Sequence, residues 1–196
     1  MAALAIGIGQ NKEGLIMNNL LEESACVVID IQERLAPAIS DNTRTIANTV
    51  KFVKGLHILQ VPVVVVRQYP KGLGDVVPEL RQALGQYTPL DKTTFSAYRE
   101  PAVVEHLRAL GKKNLFVVGM EAHVCVLQSV VDFINAGYKT HVLADCVSSR
   151  NPYDKEIALR RAEKEGAYLT TCETVLFELL ERAGGSIFKA ISDLVK

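Results

Sequence analysis

Short apolar runs rich in β-branched residues alternate along the chain with longer segments in which apolar residues recur at helical spacing. This pattern predicts strands at 25–30, 61–66, 114–119, 140–145 and 167–170. It predicts helices at 43–60, 75–84, 100–111, 126–137 and 152–166. The alternation indicates an α/β fold of three layers, in which a mostly parallel sheet has helices on both faces.

The remaining segments complete a single domain over 1–196. Residues 1–22 are predicted to be an N-terminal extension, and 174–196 to form C-terminal helices broken at Gly184 and Gly185. The segment 88–100 has weak strand character. A chain of 196 residues with 48% hydrophobic content is long enough for one well-buried core and short for two.

Charge and cysteine usage limit the partners and the compartment. Lys plus Arg equals Asp plus Glu at 22 each, which disfavours nucleic acid or an anionic membrane as a partner. No apolar stretch of about 18 residues occurs, and the opening ten residues do not form a secretory signal. The four cysteines are widely spaced without a CxxC pair, so we expect a cytoplasmic protein with a small molecule as its partner.

Chemistry in an open parallel sheet collects beyond the carboxyl ends of the strands. Asp30 ends the first strand, where a half-buried carboxylate with raised proton affinity can act as a general base. The alternative is that Asp30 caps a helix. Lys92 lies in the segment with weak strand character, and a lone lysine is commonly a solvated surface charge unless a negative site recruits it.

Cys125 lies where the strand at 114–119 gives way to a helix. Free backbone N–H groups and the helix dipole at such a junction favour an anion, which predicts a lowered thiol pKa and a binding place for an oxyanion. The alternative is a buried apolar cysteine. His123 lies two residues earlier and is expected to line a pocket without being the base. His57 and His106 have no partner histidine at metal-binding spacing.

Three separated motifs then match a known pattern. VVIDIQERL, DKTTFSAY and VVGMEAHVCV resemble, in this order, the aspartate, lysine and cysteine motifs of the isochorismatase-like cysteine hydrolase superfamily. RQYPKGLGDVVPEL, ADCVSSR and CETVLFELL resemble its isochorismatase-domain-containing branch.

The resemblance implies a six-stranded sheet in the order 3-2-1-4-5-6 and a catalytic triad of Asp30, Lys92 and Cys125. The implied reaction is hydrolysis of a carbon–nitrogen bond through an acyl-thioenzyme, without a cofactor. Backbone N–H groups of Glu121 and Cys125 would hold the oxyanion, in a loop whose Met120–Glu121 bond is cis. Homo-oligomers are also typical of the superfamily.

Departures from the pattern refine these expectations. Nicotinamidases of the superfamily bind a metal through an Asp-x-His arrangement after strand two, where this chain reads RQYPKG, so no catalytic metal is predicted. Glu121 and Ala122 replace the usual small residue and Thr. The residues expected to line the substrate pocket are Gln32, Tyr69, Phe95, Tyr98 and His123.

Two alternative functions remain open at this point. One is a thiol-based redox or stress-response protein that uses a low-pKa Cys125. The other is a non-catalytic scaffold with the same fold.

Overall fold

A computed structural model of the chain describes residues 20–196. Within these residues one sheet contains six strands, and each neighbouring pair is parallel. The strands are β1 (Ser24–Ile29), β2 (Val63–Gln68), β3 (Leu90–Lys92), β4 (Asn114–Met120), β5 (Lys139–Ser148) and β6 (Tyr168–Thr170). Their order is β3-β2-β1-β4-β5-β6, which confirms the expected topology.

Helices cover both faces of the sheet, as predicted. They are α1 (Asn42–Ile58), α2 (Pro70–Leu73), α3 (Pro78–Leu84), α4 (Pro101–Leu110), α5 (Leu127–Asn135), α6 (Pro152–Lys164), α7 (Cys172–Leu180) and α8 (Gly185–Val195). One apolar cluster joins the sheet to α1, α3, α7 and α8, and the other joins it to α4, α5 and α6.

The central strand β1 serves both clusters because successive side chains of a strand point to opposite faces. Cys26 and Val28 pack against the α1 side, whereas Val27 and Ile29 pack against the α5 side. All six residues of β1 are buried. A strand buried on both faces explains the continuous apolar run that identified it in the sequence.

Several boundaries differ from the predictions. β5 continues to Ser148, three residues beyond the predicted end, and its pairing with β4 shifts register between Val117 and Gly119. α3 begins at Pro78 because proline is suited to the first turn of a helix. α7 begins at Cys172, ahead of the predicted 174, because Thr171 accepts a hydrogen bond from the Thr174 N–H and caps the helix.

The predicted extension falls almost wholly outside the described part of the chain. Residues 1–19 are outside it, and residues 20–22 lead directly into β1. Among residues 20–196, no helix combines the length and the apolar character that crossing a membrane would require.

Candidate active site

Asp30 and Lys92 form a buried ion pair at the carboxyl ends of the central strands. Lys92 Nζ lies 2.8 Å from Asp30 Oδ2, and both side chains have zero solvent exposure. Asp30 directly follows β1 in the left-handed region, with φ of 56°, which aspartate tolerates better than most residues. The first helical turn after β1, Ala36–Ala38, begins after Leu35, so Asp30 does not cap a helix, and Lys92 is not a surface lysine.

A hydrogen-bond network fixes the ammonium group of Lys92. Nζ also donates to Gln68 Oε1 at 2.6 Å and to the Thr94 carbonyl at 3.2 Å. Gln32 in turn receives the Gln68 N–H on its side-chain oxygen and donates its amide to the Gln68 and Gly74 carbonyls. With three acceptors around it, Lys92 can hold negative charge at this point without moving.

Cys125 lies beside this pair in a π-helical turn, 122–126, between β4 and α5. The side chain is only 7% exposed. Ser129 Oγ donates to the Cys125 carbonyl at 2.6 Å, which ties the turn to the first turn of α5. The predicted junction between strand and helix is thus present. Its first turn is π-helical, which is wider than the α-helical turn that the sequence pattern indicated.

The thiol is close enough to the Asp30 carboxyl group for the two ionisations to affect each other. Burial, and then the negative charge of Asp30, raises the pKa of Cys125 to about 12, whereas Lys92 acts in the opposite direction. The prediction of a lowered thiol pKa is therefore wrong. Exclusion of water outweighs both the helix terminus and the lysine, because an ionised thiol loses its hydration there.

Asp30 shows the raised proton affinity that its strand-end position indicated. Burial raises the pKa of Asp30 above its ordinary value, and the positive charge of Lys92 limits the rise. Lys92 donates to Oδ2 of the Asp30 carboxylate. The other oxygen, Oδ1, is buried and accepts no hydrogen bond of regular geometry from residues 20–196. This oxygen can accept the proton of Cys125.

The loop before Cys125 carries a second ion pair. The Met120–Glu121 peptide bond is cis, as the resemblance implied. The Glu121 carboxylate accepts hydrogen bonds from the Arg150 side chain, at 2.6 Å to Nε, and from the Arg150 backbone N–H at 3.1 Å. Glu121 is 7% exposed, and its charge is compensated by the guanidinium of Arg150, whose side chain is itself 63% exposed.

These groups surround a cavity of about 290 Å³, at the small end of the range for ligand-binding pockets. The residues that line it are Asp30, Leu35, Gln68, Leu73, Phe95, Glu121, Val124, Cys125 and Arg150. The cavity lies where the strand order reverses between β1 and β4, which is the expected place for a ligand in this type of sheet.

Of the five residues expected to line the pocket, Phe95 does so. Tyr69 lies in a neighbouring cavity of about 390 Å³ that also includes Lys92. Gln32 is buried beneath Gln68 and positions it. Tyr98 packs edge-on against Phe133 and Tyr138.

His123 is also outside the lining of the cavity. Its Nδ1 lies 2.9 Å from Ser149 Oγ, and its Nε2 is 3.9 Å from Asp154 Oδ2. Nδ1 is also 3.6 Å from Glu121 Oε2, so the imidazole contacts Ser149 and the Glu121 carboxylate.

Two functional candidates were not predicted from the sequence. Gln68 is the last residue of β2 and Arg150 lies shortly after β5, but neither belongs to the aspartate, lysine and cysteine motifs. Their roles depend on contacts with Lys92 and Glu121 that arise only when β2 and β5 take their places in the sheet. No group of three or more His, Cys, Asp or Glu side chains in residues 20–196 has the geometry to hold a metal ion.

The fold and this cluster define an α/β protein with an acid, an ammonium group and a thiol gathered at the topological switch point of its sheet. The isochorismatase domain model matches residues 24–174. The chain therefore belongs to the isochorismatase family and has the hydrolase fold of that family.

Individual relatives agree with this assignment. Isochorismatase family protein 1B of Dictyostelium discoideum is 37% identical over 180 residues, covering 89% of this chain and 87% of that protein. The structure of the MAR1 ribonuclease of Caenorhabditis elegans has 38% identity and a TM-score of 0.83, covering 88% and 89% of the two chains. The YcaC gene product of Escherichia coli, described as an octameric hydrolase of unknown specificity, has 23% identity, a TM-score of 0.78 and coverage of 83% and 81%.

Proposed function

We propose that the protein is a metal-free cysteine hydrolase that cleaves the carbon–nitrogen bond of a small amide through an acyl-thioenzyme. The observation that carries the proposal is the buried Asp30–Lys92 pair beside the Cys125 thiol, with Asp30 and Cys125 lining one cavity. A carboxylate and a thiol that interact at the wall of one cavity are suited to proton transfer.

The first half of the reaction forms the acyl-enzyme. Cys125 Sγ attacks the amide carbonyl carbon while the thiol proton passes to Asp30. The new oxyanion is held by the backbone N–H groups of Glu121 and Cys125. The carbon–nitrogen bond then breaks as Asp30 returns the proton to the departing nitrogen, leaving the acyl group on sulfur.

The second half regenerates the thiol. Asp30 takes a proton from a water molecule, which attacks the thioester carbon, and the sulfur departs and recovers that proton. Lys92 stays charged and stabilises the negative charge on Asp30 and on sulfur in turn. The raised thiol pKa fits this sequence, because the proton is transferred during attack and no free thiolate has to persist beforehand.

The cavity also bears on the kind of substrate. A volume of about 290 Å³ suits a small molecule, and the equal numbers of acidic and basic residues give the chain no net positive charge that would attract a polymer of phosphates. The ribonuclease activity in the name of the Caenorhabditis elegans relative is therefore an alternative to be tested, and not the proposed reaction.

The alternative redox function has less support. Thiol oxidation proceeds through the thiolate, and the Cys125 pKa of about 12 keeps that form scarce at neutral pH.

A cytoplasmic location and a homo-oligomeric state remain part of the proposal. The four cysteines are free and buried, and Phe177 of α7 and Ile187 of α8 present exposed apolar side chains on one side of the molecule.

A screen of small amides for ammonia release tests the proposal. We expect at least one amide to be hydrolysed, and Cys125→Ala and Asp30→Asn to reduce the rate by at least about 10²-fold. Cys146→Ala is the matched control, because Cys146 is a buried cysteine on the opposite face of the sheet, and it should retain activity.

The same assays include single-stranded RNA. RNA cleavage that persists in Cys125→Ala, with no hydrolysis of any amide by the wild type, would overturn the proposal. An amide that Cys125→Ala hydrolyses at the wild-type rate would exclude the acyl-thioenzyme.

A further inference from the structure

Arg150 lines the cavity with a side chain that is 63% exposed, and two hydrogen bonds to one carboxylate hold it there. Glu121 Oε1 accepts from Arg150 Nε at 2.6 Å, and Glu121 Oε2 accepts from the Arg150 backbone N–H at 3.1 Å. Glu121 is itself 7% exposed and follows β4 directly. The buried Glu121 carboxylate, at the end of the central strand β4, therefore sets the orientation of the guanidinium plane.

The two terminal nitrogens of this guanidinium remain uncommitted. Among residues 20–196, neither Nη1 nor Nη2 of Arg150 has a hydrogen-bond partner. Arg67 shows the contrasting case, because it uses Nε and Nη2 on Asp91 and Nη1 on Asp75. Arg67 thus has a structural role, whereas Arg150 keeps a pair of charged donors available.

The remaining cavity wall offers little else to a polar substrate. Leu35, Leu73, Phe95 and Val124 contribute apolar surface. The Gln68 side-chain oxygen and the Asp30 Oδ2 atom are both occupied by Lys92. Glu121 also lines the cavity, but its carboxylate is bound to Arg150, so the free donors of Arg150 are the positively charged groups of the described lining that can select one small amide over another.

We propose that Arg150, oriented by Glu121, binds a carboxylate of the substrate, so that the enzyme acts on half-amides of short dicarboxylic acids. The planar fork of a guanidinium matches the two oxygens of a carboxylate. The apolar wall accommodates the methylene chain between the carboxylate and the amide. This inference rests on the proposed amide hydrolysis.

The balanced reaction follows from the proposed mechanism. The carbon–nitrogen bond of the half-amide breaks, and water supplies the oxygen of the second carboxylate. A half-amide and one water molecule therefore give a dicarboxylate and ammonium. No oxidant, reductant or further reactant is required.

The test compares half-amides with two to four methylene groups against neutral amides in which a methyl ester or carboxamide replaces the carboxylate. We expect kcat/KM for the best half-amide to exceed that of its neutral counterpart by about 10- to 100-fold, the effect of a charged hydrogen-bonded contact. Arg150→Gln should bring this ratio to about one, and Arg150→Lys should give an intermediate ratio because lysine lacks the planar fork.

Two further variants test whether Arg150→Gln loses the preference only because the substitution disturbs the structure. Glu121→Gln combined with Arg150→Gln removes both charges, so that no buried carboxylate is left unpaired, and it should also lose the preference. Arg160→Gln is the matched control, since Arg160 is an exposed arginine of α6 paired with Glu156, and it should keep the wild-type ratio.

The outcomes separate the two proposals. Equal kcat/KM for charged and neutral amides, or a preference that survives in both Arg150 variants, would overturn the carboxylate site and leave amide hydrolysis standing. Hydrolysis of neither class, or hydrolysis that is undiminished in Cys125→Ala, would overturn both.

Discussion

In the proposed reaction, the Cys125 thiol loses its proton during attack on the amide and not before it. Burial and Asp30 raise the pKa of this thiol to about 12, so the resting form at neutral pH is the thiol. Asp30 also has a raised pKa, caused by burial. We therefore expect turnover to fall as the pH is lowered through the pKa of Asp30, which lies above the ordinary value for aspartate, because protonated Asp30 cannot accept the thiol proton.

Asp30→Asn should separate thiol acidity from catalysis. The negative charge of Asp30 raises the pKa of Cys125 and the positive charge of Lys92 lowers it, so removing Asp30 should lower the thiol pKa. Turnover should nevertheless fall, because the proton acceptor is gone. Thiolate ultraviolet absorbance against pH, with Cys125→Ala as the blank, measures the first effect.

Asp91→Asn is the control for this measurement, since the Asp91 carboxylate pairs with Arg67. It should leave the thiol pKa where it is in the wild type. A higher thiol pKa in Asp30→Asn would contradict the account, because it would mean that the carboxylate stabilises a resting thiolate.

At the residue scale, the sequence predicted which groups lie together better than it predicted their properties. The positions of Asp30 and Cys125 at strand ends, together with three ordered motifs, were enough to select these residues as candidates. The thiol pKa was predicted in the wrong direction because it depends on solvent exclusion by side chains from several elements. The Glu121–Arg150 pair was missed for a similar reason, since its partners are 29 residues apart.

Among the elements, β1 and β4 determine the geometry of the site. Ile29 pairs with Gly119 across these strands, directly before Asp30 on one strand and Met120 on the other. Gly119 has φ of 151°, and a Cβ atom there would lie 2.2 Å from the Ile29 carbonyl oxygen. The close approach of the two strand ends therefore requires glycine.

Gly119→Ala should damage stability and activity together. The added methyl group cannot be accommodated without moving β1 away from β4, so we expect a loss of about 1–3 kcal/mol in the free energy of unfolding. Urea denaturation measures this loss, and amide hydrolysis should fall as Asp30 and Cys125 separate. Gly111→Ala is the control, because no atom lies within 4 Å of its added Cβ, and it should retain activity.

An unchanged rate in Gly119→Ala would show that the strand spacing does not position the triad. The sequence could not have indicated this role for Gly119, because a glycine at a strand end equally predicts an ordinary turn.

The sequence also indicated β3 only weakly, since three residues are too few to establish a period-two pattern. Pairing of Gln68 with Lys92 is what brings this short strand to the site.

For the whole molecule, the edge of the sheet at β5 and β6 should make stability depend on pH. His141 of β5 stacks on Tyr168 of β6, with ring centroids 5.0 Å apart, and its Nε2 is buried without a partner in the described residues. Burial lowers the pKa of His141 from 6.5 to about 4. The unfolded chain consequently binds this proton more readily than the folded protein between these pH values.

His141→Phe should remove part of the acid sensitivity. Because the folded pKa is depressed, stability from this residue is lost as the pH falls from 6.5 towards 4, by up to about 3 kcal/mol. Urea unfolding of wild type and variant across this range measures the difference. Identical slopes of stability against pH in the two proteins would contradict the assignment of a neutral, buried His141.

The overall architecture was the part most accessible from the sequence. Strands buried on both faces leave long apolar runs, and helices between them leave amphipathic patterns with glycine stops, as at Gly111 and Gly137. The strand order came from the family resemblance, since periodicity alone does not specify neighbours. The substrate depends on the shape of one cavity formed from five loops, for which no local pattern exists.

The most direct measurement is the mass of the peptide that contains Cys125 after rapid acid quenching of the enzyme with an amide that it hydrolyses. We expect an increase equal to the mass of the substrate minus that of ammonia, confined to Cys125 and absent in Cys125→Ala. Asp30→Asn should form this adduct more slowly than the wild type. Turnover with no adduct on Cys125 at any time, or with full activity in Cys125→Ala, would contradict the acyl-thioenzyme.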